Sequence, residues 1–169
     1  MVHIKKLKII MISIILAVIA LIPNNVLADG PSYDITNYDM DAYIQEDGTI
    51  HIDESITYYF SSSANGLTRD LRYFYKTNKD SMEPNSARYQ ATGIENITVA
   101  VTNPANITTN FTKASNAEKG DNGVYTVDAV NADRTDGYDI MVYSPISSNN
   151  FQTVHYSYDI TDAVVQYND

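Results

Sequence analysis

The sequence contains no cysteine and no tryptophan in 169 residues. Without thiols there is no disulfide, no thiolate metal site and no lipid-modified cysteine at the end of a leader, so stability has to come from packing alone. Basic residues are scarce: 11 Lys and Arg stand against 21 Asp and Glu, a net charge of −10. Nucleic acid and anionic lipid surfaces both require clustered Lys and Arg, and neither is expected as a direct partner. After Ile22 no apolar run is long enough for a spanning helix, and no stretch keeps a helical heptad pattern. Catalytic signatures are missing too: there is no serine in a nucleophile-elbow setting, no phosphate-cradling glycine loop and no pair of acids spaced for glycoside chemistry.

What is present begins with an export signal. Lys5, Lys6 and Lys8 precede the apolar run Ile9–Ile22, and Pro23 followed by Val26-Leu27-Ala28 offers small residues where a signal peptidase cuts. These features predict a signal-peptide helix over residues 1–28, cleaved after Ala28, and an exported chain that is extracellular or at the cell surface. An uncleaved anchor would need roughly 20 apolar residues, which this run does not supply. Residues 29–169 are expected to form one domain, with eight basic and 21 acidic residues and a net charge of −13.

The clearest local pattern is Tyr38–Phe60. Tyr38, Met40, Ala42 and Ile44 alternate before Asp47-Gly48, and Ile50, Ile52, Ile56, Tyr58 and Phe60 alternate after it. This predicts two half-buried strands joined by a tight hairpin. Further strands are expected at Leu67–Lys76, Ile94–Val101, Ile107–Thr112, Val124–Val130, Tyr138–Tyr143 and Phe151–Ile160. Asp136-Gly137 reads as another hairpin turn, Thr77–Gln90 as a long surface loop, and Asp162–Tyr167 as the one helical candidate, with Thr161 as its cap. Short, regularly punctuated strands predict an all-β, antiparallel β-sandwich of immunoglobulin-like architecture.

Glu54 breaks the alternation, occupying a position in register with Ile52 and Ile56 where an apolar residue was due. A carboxylate on a buried face must be paired, protonated or at the sheet rim. Arg69 and Arg72 arrive on the next segment, and a bidentate Glu54–Arg69 ion pair with a structural role is the expected outcome. Arg72, Tyr73 and Tyr75 together read as an interaction surface, because tyrosine is rigid, amphipathic and able to stack; strand propensity alone is the competing explanation for the 14 tyrosines. Asp133, Asp136 and Asp139 around Gly137, and Asp39 with Asp41, suggest calcium, but their spacing misses the helix-loop-helix calcium pattern and solvated turns are expected instead. His51 and His155 fall on outward registers, where a metal site would need them on neighbouring strands with a carboxylate added. No cofactor and no metal are expected.

In order along the chain, Asp47-Gly48, then Ile50, Ile52, Glu54, Ile56, Tyr58 and Phe60 at alternate positions, then Asn65-Gly66-Leu67 with Arg69, resemble the N-terminal extracytoplasmic domain of a predicted bacterial membrane protein family catalogued as domain of unknown function 2207. Tyr156, Tyr158 and Ile160 followed by Asp162-Ala163-Val164 resemble the same family's last strand and its exit. The resemblance implies an exported sandwich that in full-length members continues into further extracytoplasmic sequence and membrane helices. It implies no activity.

The expected function is a noncatalytic extracytoplasmic interaction or sensing module of a cell-envelope protein, with a cell-surface protein or glycan as partner. A secreted wall or exopolysaccharide hydrolase is one alternative and a structural spacer or assembly subunit another. A concave acidic pocket would mark the first, a flat tyrosine-rich face the binding module, and an unpaired long edge strand the assembly subunit.

Overall fold

A computed structural model describes residues 31–75, 91–131 and 135–164. The leader expected over residues 1–28 and the loop expected over Thr77–Gln90 lie outside the described residues. Nine strands follow in order: β1 (Tyr33–Ile44), β2 (Ile50–Phe60), β3 (Ala64–Tyr75), β4 (Gly93–Thr102), β5 (Thr108–Asn110), β6 (Thr112–Lys113), β7 (Val124–Asn131), β8 (Thr135–Ile146) and β9 (Asn150–Thr161). One sheet has the order β1-β2-β9-β4-β5 and the other β3-β8-β7-β6. The β-sandwich expected from the sequence is the architecture found. It departs from pure antiparallel pairing at one place, where the two-residue β6 runs parallel to β7.

Alternation places the core. Ile52, Glu54, Ile56, Tyr58 and Phe60 of β2 point inward, as do Val154, Tyr156 and Tyr158 of β9 and Ile140, Val142 and Ile146 of β8. Burying each large aliphatic or aromatic side chain stabilises the fold by about 1.5–3 kcal/mol, which is where a cysteine-free domain finds its stability. On β4 the inward set changes parity, from Ile94 to Val99 and Val101. An extra residue causes the change: β4 advances from Glu95 to Thr98 while β9 moves only from Asp159 to Ser157, with Asn96 in the left-handed region at φ 54°. The Tyr125 hydroxyl, coming from the other sheet, donates to the Ile97 carbonyl inside that bulge at 2.8 Å.

The Asp47-Gly48 hairpin forms as expected: Gly48 sits at φ +86°, and the Asp47 carboxylate accepts from the Thr49 amide at 2.9 Å. Three expectations are corrected. Asp136-Gly137 is not a turn but lies within β8, paired with Asn131 and Val130 on one side and with Phe74 and Arg72 on the other. A Cβ on Gly137 would stand 2.1 Å from the Leu71 carbonyl oxygen, so the glycine is there for close strand approach. The described part of the tail is not helical. Asp162 takes φ 53° and the Val164 amide donates to the Gly48 carbonyl at 3.1 Å, turning the chain back onto the hairpin. Finally, β1 is exposed along its whole length rather than half-buried. Arg69 of β3, the edge strand of the second sheet, meets Glu54 of β2, leaving β1 one strand beyond that contact at the rim of the larger sheet.

Candidate functional site

Glu54 is held from three sides. Arg69 Nε donates to Oε2 at 3.1 Å and Arg69 Nη2 to Oε1 at 2.9 Å, while the Tyr158 hydroxyl donates to Oε1 at 2.6 Å. β2 supplies the carboxylate, β3 the guanidinium and β9 the phenol, so the cluster ties the two sheets together. Glu54 is 2% exposed, and the Arg69 side chain is 29% exposed. Burial works against the charge on Arg69, but the Glu54 hydrogen bonds and charge more than offset it and raise the guanidinium pKa. Burial first, then neighbouring phenol and carboxylate charge, pushes Tyr58 up to about 12, and burial with the Glu54 hydrogen bond raises Tyr158. The Glu54 oxygens thus receive three donors inside the sandwich, two from Arg69 and one from Tyr158.

Of the residues expected to form an interaction surface, Arg72 is bonded within its own sheet. Arg72 Nη1 donates to the carbonyls of Tyr138 and Leu71 at 2.9 and 3.2 Å, and Nη2 to Asp139 at 2.5 Å. Tyr73 is half-buried, its ring 6.3 Å from that of Tyr138. Tyr75 ends β3 opposite Thr135, and its side chain lies outside the described residues.

On the outward face of the larger sheet, the two histidines occupy neighbouring strands but separate positions. His51 pairs across from Asp159 and His155 from Ser55, four residues apart along β2, or about 13 Å. His51 Nδ1 lies 2.6 Å from Asp159 Oδ1, and its Nε2 lies 3.4 Å from Ser157 Oγ and 3.5 Å from Asp53. Asn96 Nδ2 donates to the second Asp159 oxygen at 2.6 Å. The Asp159 hydrogen bond raises the His51 pKa, and the Asn96 and His51 hydrogen bonds lower that of Asp159. His155 is bracketed by Ser55 Oγ at 2.7 Å and Thr102 Oγ1 at 2.8 Å, and burial lowers its pKa. No group of three His, Asp or Glu side chains suited to a metal ion occurs among the described residues. Of the acids weighed for calcium, Asp133 lies outside the described residues, Asp139 is bonded to Arg72, and Asp39 and Asp41 alternate along β1.

Sequence reasoning missed a surface. Tyr33, Ile35, Tyr38 and Met40 stand opposite Phe60, Tyr58, Ile56 and Glu54, on the face that elsewhere forms the core, yet all four are exposed. Tyr33 packs edge-on against Tyr58 with ring centroids 5.3 Å apart, and burial with the Glu54 charge raises the Tyr38 pKa. Apolar alternation is the same for a covered and an uncovered strand, so the pattern could not distinguish them.

The family described as predicted membrane protein (DUF2207), N-terminal domain, matches residues 34–169. The chain belongs to that family. The matched span of this DUF2207 domain begins inside β1 and takes in the Glu54 cluster, both histidines and β9. No helix among its described residues is long and apolar enough to cross a membrane. No curated protein and no solved structure matches the chain.

Proposed function

We propose that this domain is a noncatalytic interaction or sensing module on the extracytoplasmic side of a membrane protein, engaging a cell-surface protein or glycan. One observation carries the reading: of the nine large apolar side chains exposed among the described residues, six (Tyr33, Ile35, Tyr38, Met40, Tyr43 and Ile44) lie on β1. A concentration of that kind marks an interaction surface, whereas single exposed apolar residues are ordinary. The buried carboxylate, the feature most suggestive of chemistry, is committed to Arg69 and Tyr158.

The test is a diazirine-bearing side chain introduced at Met40, with Lys113 as the control position, in the chain expressed in its own cells. Discrete adducts from Met40 and none from Lys113 are expected. Equal adducts from both positions, or none from Met40, overturn the reading.

A serine hydrolase, distinct in chemistry from the carboxylate-dependent wall or exopolysaccharide hydrolase expected as an alternative, has one observation behind it, the Asp159–His51–Ser157 chain. Its serine is 3.4 Å from the histidine, and Asp53 approaches the same nitrogen at 3.5 Å. An activated nucleophile requires closer contact and a base free to take its proton. A fluorophosphonate probe is expected to leave Ser157 unlabelled; labelling that disappears in His51→Gln establishes the hydrolase.

A further inference from the structure

The β1 edge carries three features that point to one kind of occupant. β1 ends the strand order of its sheet, so among the described residues no strand pairs with its outer side. It has 12 residues, about 40 Å of strand, and contains neither proline nor lysine, the residues that commonly blunt an exposed edge. Its pairing with β2 is irregular only between Ile35 and Asn37, which leaves Asn37–Ile44 as a regular ladder of eight residues.

The two faces of that ladder differ in chemistry. Tyr38, Met40 and Ile44 are exposed on the side continuous with the core. Asp39 and Asp41 stand on the other side, next to Ser55 and Asp53 of β2, and neither β1 nor β2 contains a lysine or arginine. A second copy of β1 would set the same acids against Asp39 and Asp41, and like charges directly opposite one another on paired strands are destabilising. A long unpaired edge is also the mark of an assembly subunit, but this row counts against assembly of like chains: it selects against self-pairing and in favour of positive charge.

We infer that the Asn37–Ile44 edge accepts an extended peptide segment alternating apolar with basic side chains, which adds as a sixth strand to the larger sheet. Main-chain hydrogen bonds supply the pairing, as in other strand-addition modes. The apolar side chains of the incoming strand lie beside Tyr38 and Met40, and its Lys or Arg side chains beside Asp39 and Asp41. This rests on the reading of the domain as an interaction module and names the chemistry of the partner.

The experiment uses the whole chain and synthetic peptides of about eight residues, the length of the regular ladder, alternating Lys with Val or Glu with Val. Binding is followed by fluorescence anisotropy, and hydrogen exchange is read residue by residue. The Lys–Val peptide is expected to bind, to slow exchange at amides within Asn37–Ile44, and to weaken as salt is raised. The Asp39→Asn/Asp41→Asn variant is expected to bind it about fivefold less tightly, the factor two exposed ion pairs supply. Equal binding of the Glu–Val peptide, equal binding by the variant, binding without protection of β1, or no binding overturns the inference. If the peptide fails while Met40 still forms its adduct in cells, the cationic strand is wrong and the interaction module stands. If the peptide binds and the adduct is absent, the edge is competent for strand addition but the cellular role is not the one proposed.

Discussion

Arg69 and Glu54 meet across the gap between the two sheets through paired hydrogen bonds of 3.1 and 2.9 Å. Removing one partner strands the other, and a buried carboxylate without its guanidinium typically costs about 3–5 kcal/mol. Arg69→Ala is expected to lose an amount in that range in urea unfolding, while Lys113→Ala on the exposed β6 changes little. Arg69→Lys is expected to recover only part of the loss, because an ammonium cannot reproduce the planar fork. Equal midpoints for Arg69→Ala and Lys113→Ala would show that the pair does not hold the sheets together.

Tyr156 and Tyr158 sit two residues apart on β9 with opposite hydrogen-bond fates. The Tyr158 hydroxyl donates to Glu54, whereas the buried Tyr156 hydroxyl has no hydrogen-bond partner among the described residues. Tyr158→Phe is expected to cost about 1.5–3 kcal/mol, the usual value of a bond to a charged group, and Tyr156→Phe to be neutral or stabilising. Chemical denaturation of the two variants side by side checks the order; the reverse order would contradict it.

The histidines pull stability in opposite directions with pH. His51 has a raised pKa, so its contribution is complete below the ordinary histidine value of about 6.5 and is lost as pH rises through the folded value. His155 has a lowered pKa, so the unfolded chain takes up a proton first and stability falls as pH drops below about 6.5 toward the folded value. His51→Gln is expected to be less stable than the parent at about pH 5, with the gap closing at about pH 9 and shrinking in high salt. In His155→Gln, whatever its overall offset, the decline below about 6.5 is expected to flatten. Melting curves across that range read both; parallel pH profiles for parent and variants would refute the assignment.

Gly137 sets how closely β3 and β8 approach. Because an added Cβ would meet the Leu71 carbonyl oxygen at 2.1 Å, backbone would have to move, and Gly137→Ala is expected to cost about 2 kcal/mol or more. Gly93→Ala, at a strand glycine that is not in the left-handed region and whose added Cβ would meet only the Thr161 side-chain hydroxyl at 3.3 Å, is the control and is expected to cost much less. A Gly137 variant as stable as the parent would show that the ladder tolerates the extra methyl.

The alternation in β2 and β9 was legible because one face of each is covered, and the odd carboxylate in that register drew attention to a guanidinium on the following segment. Asp136-Gly137 was misread because the dipeptide that makes turns also permits close strand contact, and only the partner strands decide which. The bulge at Asn96 was hidden for a related reason: an extra residue shifts the parity of apolar positions without any residue type that announces it. β1 shows the deepest limit. Tyr38 and Met40 carry the same period as Ile56 and Tyr58, and whether a second sheet extends far enough to cover them depends on strand order, which local pattern does not contain.

In the proposed reading, Glu54 and Arg69 hold the fold and the uncovered face of β1 meets a partner. Ile35→Ser combined with Met40→Ser separates the two roles, with a diazirine reporter placed at Ile44, on the same face of β1, in cells and thermal melting measured on the purified chain. A melting temperature close to that of the parent, together with loss of the Ile44 adduct, is the predicted result. A drop as large as that of Arg69→Ala with the adduct intact would mean that the β1 side chains serve the fold and that the interaction surface lies elsewhere.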